Sequence, residues 1–357
     1  SEKTIGKCLE SLAPYVDQIV VVYAGKSTDK TEEEVEKVKS KYPILSTYPF
    51  TWIDDFAAAR NFSFSKLTTD WYLWVDSDDV VVGAENLRKA AESMPPEVGF
   101  VWYPYNYAQD EFGNIITLYE RERLLRAAYG WVWKGRLHET VVGMTQSKYV
   151  RLQDVVFVHS HLAGAPRGDR NFKLLALMLK EEPENKRMWL YMGHQHFAGR
   201  DMTKAAEWYL KFASSDAIPL ERYQALCYAA KALIEIKDMQ QAVNTCLSAI
   251  ELFPSYVDAY IELARCYLFL GQWDKVIQWV KFSYQKDLIT EPPHVIFINP
   301  LDYSFTRPSL LVEAYFQQQN YDEALKWLLE ANKVRPVTSQ IDAIQDIKKR
   351  VDVINGI

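Results

Sequence analysis

The chain has 357 residues, 48% of them hydrophobic and 25% charged, with a formal net charge of −6. This length suggests two domains of ~150 residues each, with ample apolar material for a core. The acidic balance excludes a protein that coats nucleic acid, and no run of about 18 apolar residues is present to span a membrane. No secretory leader is read. Cys8, Cys227, Cys246 and Cys266 form no C-x-x-C pair and read as buried thiols of a reducing cytoplasm.

Apolar residues at Ile5, Cys8, Leu9 and Leu12 predict a helix over 4–12. Residues 19–24 read as a buried strand, 25–29 as a turn, and Thr28 or Asp29 caps a helix reaching about Lys39. A short strand is expected over 44–48. A loop at 51–55 then caps a helix over 56–65. Trp71-Tyr72-Leu73-Trp74-Val75 is a buried strand that runs into Asp76-Ser77-Asp78-Asp79, with a helix over 84–93 behind it. This alternation reads as a doubly wound α/β sheet, whose ligands bind beyond the carboxyl ends of the strands. Three carboxylates at that rim repel one another unless a cation or a donor-rich ligand lies among them. A hard divalent ion, Mg²⁺ or Mn²⁺ shared with phosphates, is the natural partner. The same residues are also turn and capping chemistry. The preceding strand and the following helix favour a site.

Residues 98–107 are strand-like, 110–114 form a hairpin turn into 115–119, and 121–126 are basic. Tyr103, Tyr105 and Tyr107 share one strand face and either floor an acceptor cleft or fill core. From Asn171 the chain is helical, with internal repetition. Ala205, Ala242, Val276 and Ala324 mark repeated positions at steps of 37, 34 and 48 residues, so an insertion falls near 290–308. Trp189, Gly193, Tyr209, Tyr260, Gly271 and Pro336 fit the tetratricopeptide pattern, and a charged last helix over 339–354 reads as a cap. His194 and His196 are helix-face residues without a metal role.

Three segments resemble, in order and spacing, the family 2 glycosyltransferases of GT-A fold: 19–31, Asp55-Phe56-Ala57-Ala58-Ala59-Arg60-Asn61, and Trp71–Asp79 with its D-x-D. The resemblance implies an α/β GT-A-type (Rossmann-like) sheet domain over 1–178, followed by an all-α tetratricopeptide-like domain over 179–357. It implies a nucleotide-sugar donor, a UDP-sugar first among them. Asp55, Arg60, Asp76, Asp78 and Asp79 would contact that donor. Asp76 and Asp78 would hold Mn²⁺ or Mg²⁺ together with His159 or His161. On its own residues, without the resemblance, Arg60 reads first as a surface ion pair with Asp54 or Asp55.

Trp131-Val132-Trp133-Lys134-Gly135-Arg136-Leu137-His138-Glu139 resembles the W-x-G-x-x-H-E segment of a repeat-bearing branch of that family. Glu139 is the candidate base for the acceptor nucleophile, oriented by His138. The alternative is an ion pair of Glu139 with Arg136 or Arg126. The Gly-rich stretch 164–168 reads as a loop closing over the donor, with Arg167 or Arg170 reaching the diphosphate. Two departures stand out. The family's first strand has no counterpart within this numbering, and Tyr23 stands where the family carries an Asp. The expected function is metal-dependent, inverting transfer of a sugar to an acceptor. A peptide or protein would be presented by the repeats, whose concave face is equally a homodimer surface. The alternatives are a catalytically inactive GT-A scaffold and, more weakly, a two-metal phosphoryl-transfer enzyme.

Overall fold

The computed structural model describes residues 1–160, 170–285, 296–297 and 299–355. These divide into two compact units: Ser1–Ala108 with Leu118–Glu181, and Gln109–Thr117 with Glu182–Ile357.

In the first unit, α1 (Ile5–Leu12), β1 (Ile19–Ala24), α2 (Thr31–Lys41) and β2 (Leu45–Phe50) come first. β1 and β2 are parallel, with Ile19 opposite Leu45 and Ala24 opposite Phe50. Ile5 and Leu9 of α1 and Val35 and Val38 of α2 bury their apolar stripes in one cluster with Leu45, and Tyr23 packs against it. The 3.6-residue spacing of those positions is what puts each pair on one face.

After α3 (Phe56–Phe64) come β3 (Trp71–Leu73), β4 (Asp79–Val82), α4 (Leu87–Ser93), β5 (Val98–Gln109) and β6 (Ile115–Arg126). The short strands β7 (Val132–Lys134), β8 (Thr140–Val142), β9 (Lys148–Arg151) and β10 (Val156–His159) lead to α5 (Arg170–Glu181). The main sheet has the order β3-β6-β5-β10-β4, with β9 also pairing β5. β3 is antiparallel to β6 and β10 to β4, while β10 and β9 run parallel to β5. Tyr103 and Tyr105 are core residues of this sheet, packed with Val101, Leu124 and Phe157.

The single doubly wound sheet expected from the alternation of elements is thus not what forms. β1 and β2 make a sheet of their own, and the main sheet is mixed. The reason lies in long-range pairing that local pattern does not carry: β3 takes its partner from a hairpin about fifty residues downstream. Between the open edges of β1 and β3 lies a cleft of about 660 Å³, walled by Ile19, Val20, Phe64, Leu67, Trp71 and Leu73. Side chains rather than a backbone ladder span the two layers. Gln18 donates to the Lys66 carbonyl at 2.9 Å and accepts from the Thr68 N–H at 3.0 Å. The Ser11 hydroxyl accepts from the Val81 N–H at 3.1 Å, and the Cys8 thiol donates to the Asp76 carbonyl at 3.3 Å.

The second unit contains α6 (Lys186–Ala198), α7 (Met202–Ala213), α8 (Pro219–Glu235), α9 (Met239–Leu252), α10 (Asp258–Phe269), α11 (Trp273–Ser283), α12 (Arg307–Gln317), α13 (Tyr321–Asn332) and α14 (Thr338–Asn355). The turns α6–α7, α8–α9, α10–α11 and α12–α13 share one device. Arg200, Lys237, Gly271 and Gln319 each sit in the left-handed region, with φ of 63°, 65°, 66° and 59°. In three of the four turns an Asp or Asn follows and caps the next helix: Asp201, Asp238 and Asn320 accept from the N–H three residues on. Gly193 is small for a packing reason. A Cβ there would stand 2.6 Å from the Tyr209 ring, which fills the space between α6 and α7.

Candidate active site

The apolar run at 71–75 is a strand only as far as Leu73, because the chain turns at Asp76 and re-enters the sheet as β4 at Asp79. The turn closes on itself: the Asp79 N–H donates to the Asp76 carbonyl at 3.0 Å, and the Asp76 N–H to Asp79 Oδ2 at 3.1 Å. Asp79 is fully buried. Its carboxylate faces Arg123 Nη2 at 3.1 Å and accepts from the Tyr105 hydroxyl at 2.7 Å. Arg123 is also fully buried, its guanidinium 3.8 Å from the Trp74 ring and 4.4 Å from that of Tyr105. Asp79 therefore braces the turn from inside.

β10 brings His159 opposite Asp79 in register. Its Nδ1 lies 3.3 Å from Asp79 and 3.5 Å from Asp78, and its ring stacks on Tyr107 at 5.0 Å. Ligand atoms of Asp78, Asp79 and His159 all fall within 4.8 Å of one another. Burial pushes the Asp78 carboxyl above its ordinary range, against the pull of His159, and the charges of Asp76 and Asp79 add to the rise. For His159 burial acts downward, but the hydrogen bond to Asp79 and the charges of Asp78, Asp79 and Asp76 raise it overall. A cluster short of positive charge in this way, with oxygen and imidazole donors, suits a divalent cation.

Asp76, expected beside Asp78 on the metal, is engaged elsewhere. Arg60 Nη2 reaches Asp76 Oδ1 at 2.6 Å and Arg60 Nε reaches Glu139 Oε1 at 2.5 Å. The guanidinium lies 4.8 Å from the Trp74 ring and 4.9 Å from that of Trp133. Burial would raise the Asp76 carboxyl, yet the charges of Arg60 and Arg123 prevail and hold it at about 2. Arg60 pairs with neither Asp54 nor Asp55. Asp55 is the N-cap of α3, accepting from the Ala58 N–H at 2.9 Å, and Asp54 accepts from the Trp52 indole at 2.9 Å. Likewise Glu139 does not meet Arg136, which pairs with Glu181 at 3.1 Å, nor Arg126, which donates to the carbonyls of Met94, Pro95 and Val98.

His138 is half-buried beside Glu139 with φ of 53°, a left-handed turn that follows Gly135 at φ 96°. Arg170 opens α5 with its guanidinium 5.1 Å from the Phe56 ring. His161 and Arg167 lie outside the described residues.

Sequence reasoning passed over Arg123 as a brace, Tyr107 as the platform for His159, and Asn61. The Asn61 amide donates to the Trp133 carbonyl at 2.9 Å and accepts from the Trp133 N–H at 2.8 Å. This clasp, with the Phe56 N–H donating to the Arg136 carbonyl at 2.9 Å, docks the 131–139 segment onto α3. It carries Glu139 to Arg60. Asn61 stood in the quoted motif next to Arg60, the one signal that pointed to it. Asn61→Ala is expected to destabilise the first unit by about 1–3 kcal/mol, since it strands a donor and an acceptor of Trp133. Urea unfolding followed by tryptophan fluorescence checks this.

The glycosyl transferase family 2 model matches residues 1–167, and a tetratricopeptide repeat model matches 245–278. The SPbeta prophage-derived glycosyltransferase SunS of Bacillus subtilis (strain 168) is 24% identical over 210 residues, covering 56% of this chain and 48% of SunS. The chain thus spans about half the length of that relative. The TPR repeat-containing protein Synpcc7942_0270 of Synechococcus elongatus is 36% identical over 76 residues, 21% of this chain and 17% of that protein. Among solved structures, MamA aligns with a TM-score of 0.37 at 23% identity, over 46% of this chain and 81% of MamA. The thermophilic TPR protein TTC0263 of Thermus thermophilus aligns with a TM-score of 0.37 at 19% identity, over 49% and 87% of the two chains. Over residues 1–167 the chain is thus similar to the family 2 glycosyltransferases, and the helical unit that follows carries a tetratricopeptide repeat match.

Proposed function

We propose that the protein transfers a sugar from a nucleoside diphosphate sugar, a UDP-sugar first among candidates, to an acceptor with inversion at the anomeric carbon. The observation that carries this reading is the convergence at one rim of the Asp78–Asp79–His159 cluster and the Arg60 bridge between Asp76 and Glu139. Asp78 and His159 would hold Mn²⁺ or Mg²⁺, which when bound supplies Lewis-acid charge against the departing diphosphate. Asp79, already committed to Arg123 and Tyr105, orients His159 from behind. Asp76, held low by Arg60, stays a carboxylate at neutral pH and accepts from donor hydroxyls. Arg60 adds fixed positive charge at the same rim. Glu139 takes the proton from the acceptor nucleophile as it attacks from the face opposite the leaving group.

The acceptor we favour is a peptide or protein held by the helical repeats, a role such arrays suit by their extended concave faces. Among the described residues no helix is long and apolar enough to cross a membrane. All four cysteines are free and buried, which supports a reducing compartment, the cytoplasm. A non-catalytic, donor-binding scaffold is the second reading. The packing of Tyr23 into the α1–α2 cluster favours it, because that side chain offers no carboxylate to a base.

Isothermal titration with nucleoside diphosphates and their sugars, with and without Mn²⁺, tests the proposal on the wild type and Asp78→Ala. Mn²⁺-dependent binding is expected, lost in the variant by a factor of about 10² or more, as for a metal ligand. A folded wild type that binds none of them sinks the donor site. Binding without release of sugar to any acceptor or to water leaves the scaffold.

A further inference from the structure

The β5–β6 hairpin belongs to both units. Its stems lie in the first, and residues 109–117 at its tip fold with the helices. Past Asn106 the hairpin outruns the sheet. β9 pairs β5 between Val98 and Trp102, and β10 pairs it at Tyr105 and Asn106. From Tyr107 onward, among the described residues, β5 has β6 alone beside it. A two-stranded ribbon is marginal in water unless something packs against it. Yet this stretch carries Tyr107, whose ring stacks on that of His159 at 5.0 Å with 8° between the planes.

A clamp within the second unit holds the tip. The Asp110 carboxylate accepts from the Phe112 N–H at 2.9 Å, the Asn114 N–H at 2.8 Å and the Asn114 amide at 3.0 Å, which closes the turn. Arg335, in the turn between α13 and α14, donates from Nε to the same carboxylate at 2.8 Å. Its guanidinium stands 4.9 Å from the Phe305 ring. The Asn114 amide also donates to the Val334 carbonyl at 3.3 Å. The Asp110 side chain keeps 6% of its surface and that of Arg335 28%, so salt screens this pair less than an exposed one.

We propose that Arg335 is a positioning residue for the rim cluster: by pinning the hairpin tip it holds Tyr107 against His159, and so sets the geometry of the Asp78–Asp79–His159 site. Tyr107 lies three positions before Asp110, about 10 Å of extended chain, a lever too short to absorb fraying at the tip. With the Arg335–Asp110 pair broken, the ribbon opens from its tip, because segments with few buried contacts open first. Tyr107 then leaves the imidazole, while Asp79 stays in place, held by Arg123 and the Tyr105 hydroxyl. Arg335 thus acts through Tyr107 and touches neither metal nor substrate. This role rests on the metal site proposed above.

Isothermal titration of the full chain with Mn²⁺ tests it. Arg335→Met is expected to bind Mn²⁺ about tenfold more weakly than wild type. Arg335→Lys, which keeps a cation for Asp110, is expected to lose about threefold. Tyr107→Leu is expected to lose as much as Arg335→Met, and the double variant no more than either, because both act through one stack. Hydrogen exchange over residues 103–109 gives a readout that needs no metal: about tenfold faster exchange is expected in Arg335→Met, with α10 unchanged as the control for the fold. Additive losses, wild-type Mn²⁺ affinity in Arg335→Met, or unchanged exchange over 103–109 overturns the proposal and leaves the clamp a structural contact. A wild type that binds no Mn²⁺ sinks the metal site and this role together. Wild-type Mn²⁺ binding that Arg335→Met leaves untouched sinks this role alone.

Discussion

Glu139→Gln is expected to lower turnover by about 10²–10⁴-fold, the usual contribution of a positioned general base. Donor affinity should stay close to wild type. A glutamine Oε1 still accepts from Arg60 Nε, so the Arg60–Asp76 pair and the stacking on Trp74 and Trp133 survive the change. The loss should therefore fall on kcat rather than KM. Initial rates of nucleoside diphosphate release, with donor binding measured in parallel, separate the two. An unchanged kcat would mean that Glu139 serves only to anchor Arg60, and the base would have to be sought elsewhere on the rim.

Arg123→Met should produce the largest loss of stability, about 3–5 kcal/mol, because it removes the guanidinium that balances the buried Asp79 charge and leaves that carboxylate only the Tyr105 hydroxyl, the Asp76 N–H and His159. Neither side chain has solvent exposure, so water cannot take over the role of the guanidinium. The rings of Tyr105 and Phe157 also lose the guanidinium, as does that of Trp74, which keeps Arg60 and Arg121. The double variant Arg123→Met with Asp79→Leu should recover much of the loss, since an apolar pair of similar volume commonly matches a buried ion pair. Urea unfolding of the single and double variants measures both effects. Additive losses would show that the pair is not coupled. The double variant is expected to bind Mn²⁺ poorly even where it is stable, because Asp79 is what orients His159.

Much of this site was legible along the chain, and the part that was not has a common cause. The order of the Asp55–Asn61, Trp71–Asp79 and Trp131–Glu139 segments pointed to one rim, and the structure draws Arg60, Asp76, Asp78, Glu139 and His159 together there. Helices were readable because apolar spacing is local, and the 37-, 34- and 48-residue steps of the repeats recur between the left-handed turn residues. Pairings between distant residues were not readable. Arg60 had acids at Asp54 and Asp55 within a turn, yet it pairs with Glu139, 79 residues away. Three aspartates within four residues look equivalent in one dimension. The fold makes Asp76 an arginine partner, Asp78 a half-exposed acceptor and Asp79 a buried brace, because the turn points each in a different direction. The split of the sheet was hidden for the same reason: an alternating pattern states what a strand is, not whom it pairs with.

The separate β1–β2 sheet has a consequence for motion. A strand inside a continuous sheet cannot move without breaking a ladder of backbone hydrogen bonds. This pair is joined to the rest of the unit by side chains: Gln18, Ser11 and Cys8 hydrogen-bond across the cleft, Asp17 pairs with Arg88, and Leu12 packs with Val81 and Leu87. Side-chain contacts shift without breaking a backbone ladder, so local opening is expected in the α1–β1–α2–β2 layer before global unfolding. Cys8 and Ser11 end at Asp76 and Val81, which flank Asp78 in the chain, so such an opening would loosen the turn that carries it. The mobility of one layer and the geometry of the Asp76–Asp79 turn would in this way be coupled.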